Sequence, residues 1–186
     1  NLLNDYLYYC DLIKYMYYNL YNKEYKNKIN LQLYSQLKDI IETGLRSMNY
    51  RVTIIDKKTK ETRVVKINEE AEIVAAQSQE SIKDVILLYL GTRDNNIEDK
   101  KIYLHKFIDL LEPVFKKYNN EPISSVREYV QLLRHPEIKK NDQKYKWFYE
   151  NESKYIDKLF SMCLFVQHYD ITKKTLKDFE QNKTKI

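Results

Sequence analysis

Two glycines in 186 residues leave this chain few ways to turn sharply. Tight hairpins, phosphate-cradling loops and many-stranded sheets rely on glycine to reach positive φ without steric cost. A chain holding only Gly44 and Gly91, with prolines confined to Pro113, Pro122 and Pro136, is expected to be all-α. The same scarcity excludes a dinucleotide-binding G-x-G-x-x-G and a Walker A loop. The length suits a single domain, 1–186, built on one core. No apolar run approaches the roughly 20 residues that span a bilayer. No secretory leader is visible either, and no membrane partner is expected. The first residue is Asn1 rather than Met, and a preceding segment is expected.

The chain repeats itself at an offset of 70 residues. Ser35–Tyr50 lies gapless over His105–Asn120, with Leu37 on Phe107, Ile40–Ile41 on Leu110–Leu111 and Leu45 on Phe115. The offset extends backwards, placing Leu12, Met16 and Leu20 on Ile82, Ile86 and Leu90. Identities are few: Leu20/Leu90, Asp39/Asp109, Glu42/Glu112 and Asn49/Asn119. Any two amphipathic helices share apolar spacing, but the absence of gaps across helix, connection and helix favours a duplication of 11–50 as 81–120. Two copies are too few for a solenoid. They are expected to pack as helix-turn-helix repeats about a pseudo-dyad, joined by a basic connector and followed by a C-terminal helical extension, 121–186.

Taken in order, Leu2–Tyr25 reads as one Tyr-rich helix and Leu31–Met48 as a second. The tyrosines are either core rings with hydroxyls at the surface or a partner surface. In 51–67, the β-branched Val52–Ile55 and Thr62–Ile67 flank polar DKKTKE, which predicts a short hairpin without an Asn-Gly or Asp-Gly turn. Asn68 or Ser78 starts the next helix, which ends at Gly91 as its expected C′ residue. Glu98–Tyr118 is the following helix, which Pro113 should kink or divide. Ser125 to Glu128 has the spacing of a capping box, opening a helix that stops before Pro136. Ser153–His168 carries an apolar face of Ile156, Leu159, Phe160, Cys163 and Leu164, and its KYIDKL echoes the KFIDLL of the repeat. Thr172–Lys185 is expected to be a separate short helix that frays.

Catalytic and metal chemistry finds no foothold. His105, His135 and His168 stand apart, without helical metal-ligand spacing, and there is no CxxC. Arg134 and His135 are adjacent and Arg127 is distant, so the Arg/His pairing of helical ribonucleases is absent. Cys10 and Cys163 form either one bridge or two buried thiols in a reducing compartment, and the latter is the reading taken. No enzyme, cofactor or metal is expected.

Charge gives the stronger lead. Net charge is +5, with pI near 8.9 and mean hydropathy −0.68. The connector holds Lys57, Lys58, Lys60, Arg63 and Lys66. A second stretch holds Lys139, Lys140, Lys144, Lys146 and Trp147, and Lys173 and Lys174 lie near the end. Lysines neutralise phosphates by counterion release, and an exposed Trp147 could stack on an unpaired base. The bland alternatives are solvated charge runs and a core-anchoring indole. These residues are the candidate RNA contacts, with single-stranded RNA of little sequence preference as the expected partner. The rival expectation is a non-catalytic protein-interaction scaffold whose Tyr-rich first helix is the partner surface.

Eighteen tyrosines with abundant Lys, Asn and Ile suggest an AT-rich genome. In this character, and in the duplicated helix-turn-helix pattern over Asp11–Asn120, the chain resembles the sexual-stage gametocyte antigen family of malaria parasites. The resemblance implies an all-α fold of two repeats and a cytoplasmic, homodimeric phosphoprotein that binds RNA in gametocyte sexual differentiation. It also implies docking of SH3 modules through PxxP. Pro113, Pro122 and Pro136 form no PxxP, which is a departure from the family pattern.

Overall fold

A computed structural model describes residues 28–56 and 61–183. The Tyr-rich Leu2–Tyr25 with Cys10, and Lys57, Lys58 and Lys60 of the connector, lie outside those residues. The chain is mostly helical, with one small two-stranded sheet. It divides into two compact units, 1–67 and 68–186, within what the sequence reading treats as one domain. The two copies of the expected repeat fall in different units.

In the first unit, α1 (Lys28–Ser47) runs into β1 (Tyr50–Asp56), which pairs antiparallel with β2 (Glu61–Lys66). The hairpin needs no glycine at its entry, because Asn49 takes φ 65°. Asparagine tolerates the left-handed region better than most residues. The Asn49 amide donates to the Arg46 carbonyl at 3.0 Å, its carbonyl accepts from Ile67 N–H at 2.8 Å, and its side-chain amide donates to Ile67 O at 3.3 Å. One residue thus ends the helix and closes the open end of the hairpin. The register runs from Tyr50↔Lys66 to Ile54↔Thr62, with an irregularity before Asp56.

The second unit begins at Asn68, whose side chain accepts from Ala71 N–H at 3.0 Å and caps α2 (Glu69–Gln77). Of the two starts expected from the sequence, Asn68 is realised and Ser78 is not. Asn68 opens α2, and Ser78 ends it, its hydroxyl donating to Val74 O at 2.7 Å, before α3 (Glu80–Leu90) begins. Gly91 follows at φ −82°, so the expected left-handed glycine cap is corrected to a right-handed residue that any side chain could adopt. Asn96 caps α4 (Ile97–Lys117). Pro113 does not divide α4. It lies in the last turns, where one carbonyl loses its donor and the rest of the ladder is intact. Shifted by 70, α1 would occupy 98–117, one residue from the observed start of α4. Leu45 and Phe115, equivalent in the repeat, are both fully buried. The first helix of the first copy lies outside the described residues.

The expected capping box is overturned. Helix α5 (Ile123–Arg134) starts before Ser125, and the Ser124 and Ser125 hydroxyls donate back to Glu121. Glu128 turns instead to Lys144 and Tyr145. After α6 (Pro136–Lys139), a 3-10 turn (Gln143–Tyr145) and α7 (Lys146–Glu150), the chain enters α8 (Glu152–Lys183). The fraying helix expected at 172–185 is therefore the unbroken end of α8 through Lys183.

Helices α4 and α8 are the centre of this unit. Helix α4 packs on α3, α5 and α8, and α8 also meets α2, α5 and α7. Phe107, Ile108, Leu111 and Phe115 of α4 are sealed from solvent together with Ile156, Phe160, Cys163 and Leu164 of α8. The Phe160 ring stacks on Tyr89 of α3 at 3.8 Å and tilts against Phe107 at 5.8 Å. One buried lysine at the edge of this core is paired with carboxylates. Lys100 donates to Asp157 at 2.8 Å and Asp94 at 3.0 Å, and Tyr89 donates to the same Asp157 at 2.7 Å. Burial opposes the charge on Lys100, but the two carboxylates outweigh it and raise its pKa. Cys163 is a free buried thiol, its pKa pushed up by desolvation.

Candidate nucleic-acid interface

The second basic stretch folds around two buried rings. Pro136 at the first position of α6 is preset for a helix start. Asp142 accepts from Lys144 N–H at 2.9 Å and sets the 3-10 turn. Tyr145 and Phe148 point inwards and are almost fully buried. The Tyr145 hydroxyl donates to Glu128 at 2.8 Å, and Tyr149 donates to Leu132 O at 2.8 Å. These three aromatics anchor the segment, so Trp147 is free of that task. Trp147 is 38% exposed. It meets Tyr155 of α8 edge-on at 4.7 Å and Phe148 at 5.9 Å.

The candidate lysines do not form one bare positive surface. Lys144 is held by Glu128 at 2.9 Å, which raises the lysine's pKa and lowers that of the carboxyl. Lys146 reaches Glu150 at 3.5 Å, and Lys174 reaches Asp170 at 2.6 Å. Arg134, at the head of the stretch, is taken up by Asp109 at 2.7 Å and by Glu112. Lys139 lies over the Tyr145 ring at 4.8 Å, and Lys140 is exposed. Arg63 and Lys66 stand on β2 in the first unit, three residues apart and so on opposite faces of the hairpin. Lys173 sits over Tyr169 at 5.5 Å. It is 18 residues beyond Tyr155 on the same helix, about 27 Å along the axis, so Lys173 and Lys174 do not join the Trp147 cluster.

Three residues that charge runs alone did not single out complete the cluster. Lys154 and Lys158 both lie over the Tyr155 ring, at 5.7 and 5.1 Å from its centroid. Among the described residues neither is in an ion pair. Tyr155 is half-buried and touches Trp147. Their signal was the KYIDKL segment, read for its apolar face and its likeness to KFIDLL. At helical spacing Lys154 and Lys158 share one exposed side, and Tyr155 lies between them and the buried Leu159 and Ile156.

Among the described residues no group of three His, Cys, Asp or Glu could hold a metal ion, and no helix is long and apolar enough to cross a membrane. His105 is partly buried, which lowers its pKa against the pull of Asp109. No protein-family model, curated protein or solved structure matches the chain.

Proposed function

We propose that the chain is a non-enzymatic RNA-binding protein that engages single-stranded RNA through Trp147, Tyr155, Lys154 and Lys158. The observation that supports it is the exposed indole beside a phenol that two lysines approach, neither in an ion pair among the described residues. An unpaired base stacking on such a platform gains about 1–3 kcal/mol and brings no demand for a particular sequence. Two lysines within reach of the neighbouring phosphates would add a salt-sensitive component. Lys139 and Lys140 extend the positive surface, whereas Lys144, Lys146 and Lys174 contribute less because carboxylates already offset them. The homodimeric role in sexual-stage development belongs to the same proposal, supported by the Tyr/Lys/Asn-rich, duplicated character of the chain.

Fluorescence anisotropy of labelled single-stranded RNA across a salt series tests the reading. Micromolar binding is expected, with log K falling at a slope of about −0.7 per phosphate neutralised. Trp147→Ala should weaken it by about 1–3 kcal/mol. Lys154→Glu with Lys158→Glu should flatten the slope by about 1.5. Binding unchanged in both variants, or none at low salt, would sink the proposal.

The rival scaffold reading has one observation in its favour, an apolar groove on the second unit. Its expected partner surface, the Tyr-rich Leu2–Tyr25, lies outside the described residues.

A further inference from the structure

Helix α8 changes character along its length. Up to Asp170 one face is buried at 156, 159, 160, 163, 164, 166, 167 and 170. From Thr172 to Lys183 every residue is exposed. That last segment is about a dozen residues, a length at which an isolated helix is marginal in water. It nevertheless presents Leu176 at 51% and Phe179 at 71% exposure. Back along the same side of the helix lie Met162 and Phe165, each 37% exposed. They form one wall of an open groove of about 450 Å³, whose other wall is Pro122 with Val126 and Tyr129 of α5.

These positions keep a single spacing. Met162, Phe165, Tyr169, Thr172, Leu176 and Phe179 follow one another at intervals of three and four, the seam of a coiled coil. The series reads the same from either end about a point between Asp170 and Ile171. A second α8 laid antiparallel would place Phe179 opposite Met162, Leu176 opposite Phe165 and Thr172 opposite Tyr169, each pairing occurring twice. In that arrangement the exposed tail of one copy enters the groove of the other.

We infer that α8 is a self-association seam, in which Leu176 and Phe179 of one chain fill the α5/α8 groove of a second copy. The inference rests on the homodimer part of the proposed function and not on its RNA contacts. Area favours this occupant. Tyr129, Met162, Phe165, Leu176 and Phe179 leave on the order of 500 Å² open per copy, or about 1,000 Å² across a symmetric pair. That reaches the threshold of a specific interface, and neither the tail nor the groove reaches it alone. Because the contact is isologous, it closes as a dimer instead of growing into a fibre.

Sedimentation velocity of the full chain, without RNA, up to about 100 µM is the test. A concentration-dependent dimer in the micromolar range is expected. Met162→Lys alone and Phe179→Glu alone should each raise the dissociation constant more than about tenfold. Circular dichroism should stay unchanged, since both side chains are on the surface. The double variant Met162→Lys/Phe179→Glu should dimerise again, because each lysine then faces a glutamate across the seam. A wild-type chain that stays monomeric, single variants that still dimerise, or a double variant that is not rescued would each overturn the seam. A monomer that still binds RNA would overturn the seam alone and leave the RNA proposal standing.

Discussion

Asn49 does at φ 65° the work that glycine does in most chains, and it does so at the one bend joining helix to hairpin. A β-branched residue there meets its own backbone, so Asn49→Val should cost about 1–2 kcal/mol in urea unfolding, with Asn49→Gly close to neutral. Gly91 is the reverse case. At φ −82° it uses none of its freedom, and Gly91→Ala should stabilise by about 0.4–1 kcal/mol through the unfolded state. Asp170 offers a pH test. Burial pushes its pKa up, but hydrogen bonds from Lys117, Lys174 and Tyr118 outweigh that and hold it below the usual carboxylate value. A depressed folded pKa contributes stability that is present above the unfolded value near 4 and lost as pH falls through the folded one. Asp170→Asn should therefore lower stability at neutral pH and flatten its decline below about pH 4, as read by thermal melts. None of this was legible in the sequence. The sign of φ at Asn49 or Gly91, and the three donors around Asp170, depend on partners up to 53 residues away.

Element by element, the apolar period carried most of the information and the cap motifs little. Helices α1 and α4 and the buried face of α8 follow from apolar spacing, because a three-to-four repeat has one way to bury itself. The capping box failed for a physical reason. Glu121 offers both hydroxyls a carboxylate one turn earlier, and Lys144 with Tyr145 draws Glu128 away. Ser125→Ala should accordingly shift stability by less than about 0.5 kcal/mol, whereas Asn68→Ala, which removes a working cap, should cost about 1 kcal/mol in the same assay. Pro113 misled because its effect depends on distance from the helix end, which proline itself does not encode. At the candidate interface Trp147 was visible from its type and lysine neighbours. Tyr155, Lys154 and Lys158 were hidden because the eye follows the apolar residues of KYIDKL. The pair that occupies Lys144 was hidden too, since Glu128 is 16 residues away, whereas Lys146 with Glu150 and Lys174 with Asp170 stand at the i,i+4 spacing that a sequence displays.

For the whole molecule, the scarcity of glycine foretold the outcome: the described residues are mostly helical, with one hairpin among them opened by an asparagine. Hydrophobic spacing does not reveal the division at Ile67/Asn68, because the Asn68 cap looks like any helix start. One further consequence belongs to α8, about 48 Å long over its 32 residues. The costly step in making a helix is its first turn, and here the buried portion up to Asp170 has already made it. The tail need only propagate, one hydrogen bond at a time, from an anchored template. Its amide protons should then exchange in a gradient, slowest beside Asp170 and fastest at Lys183, with no cooperative step between. Any molecule that covers the tail would move that gradient outward residue by residue, so hydrogen exchange along one helix would report where its partner begins and ends.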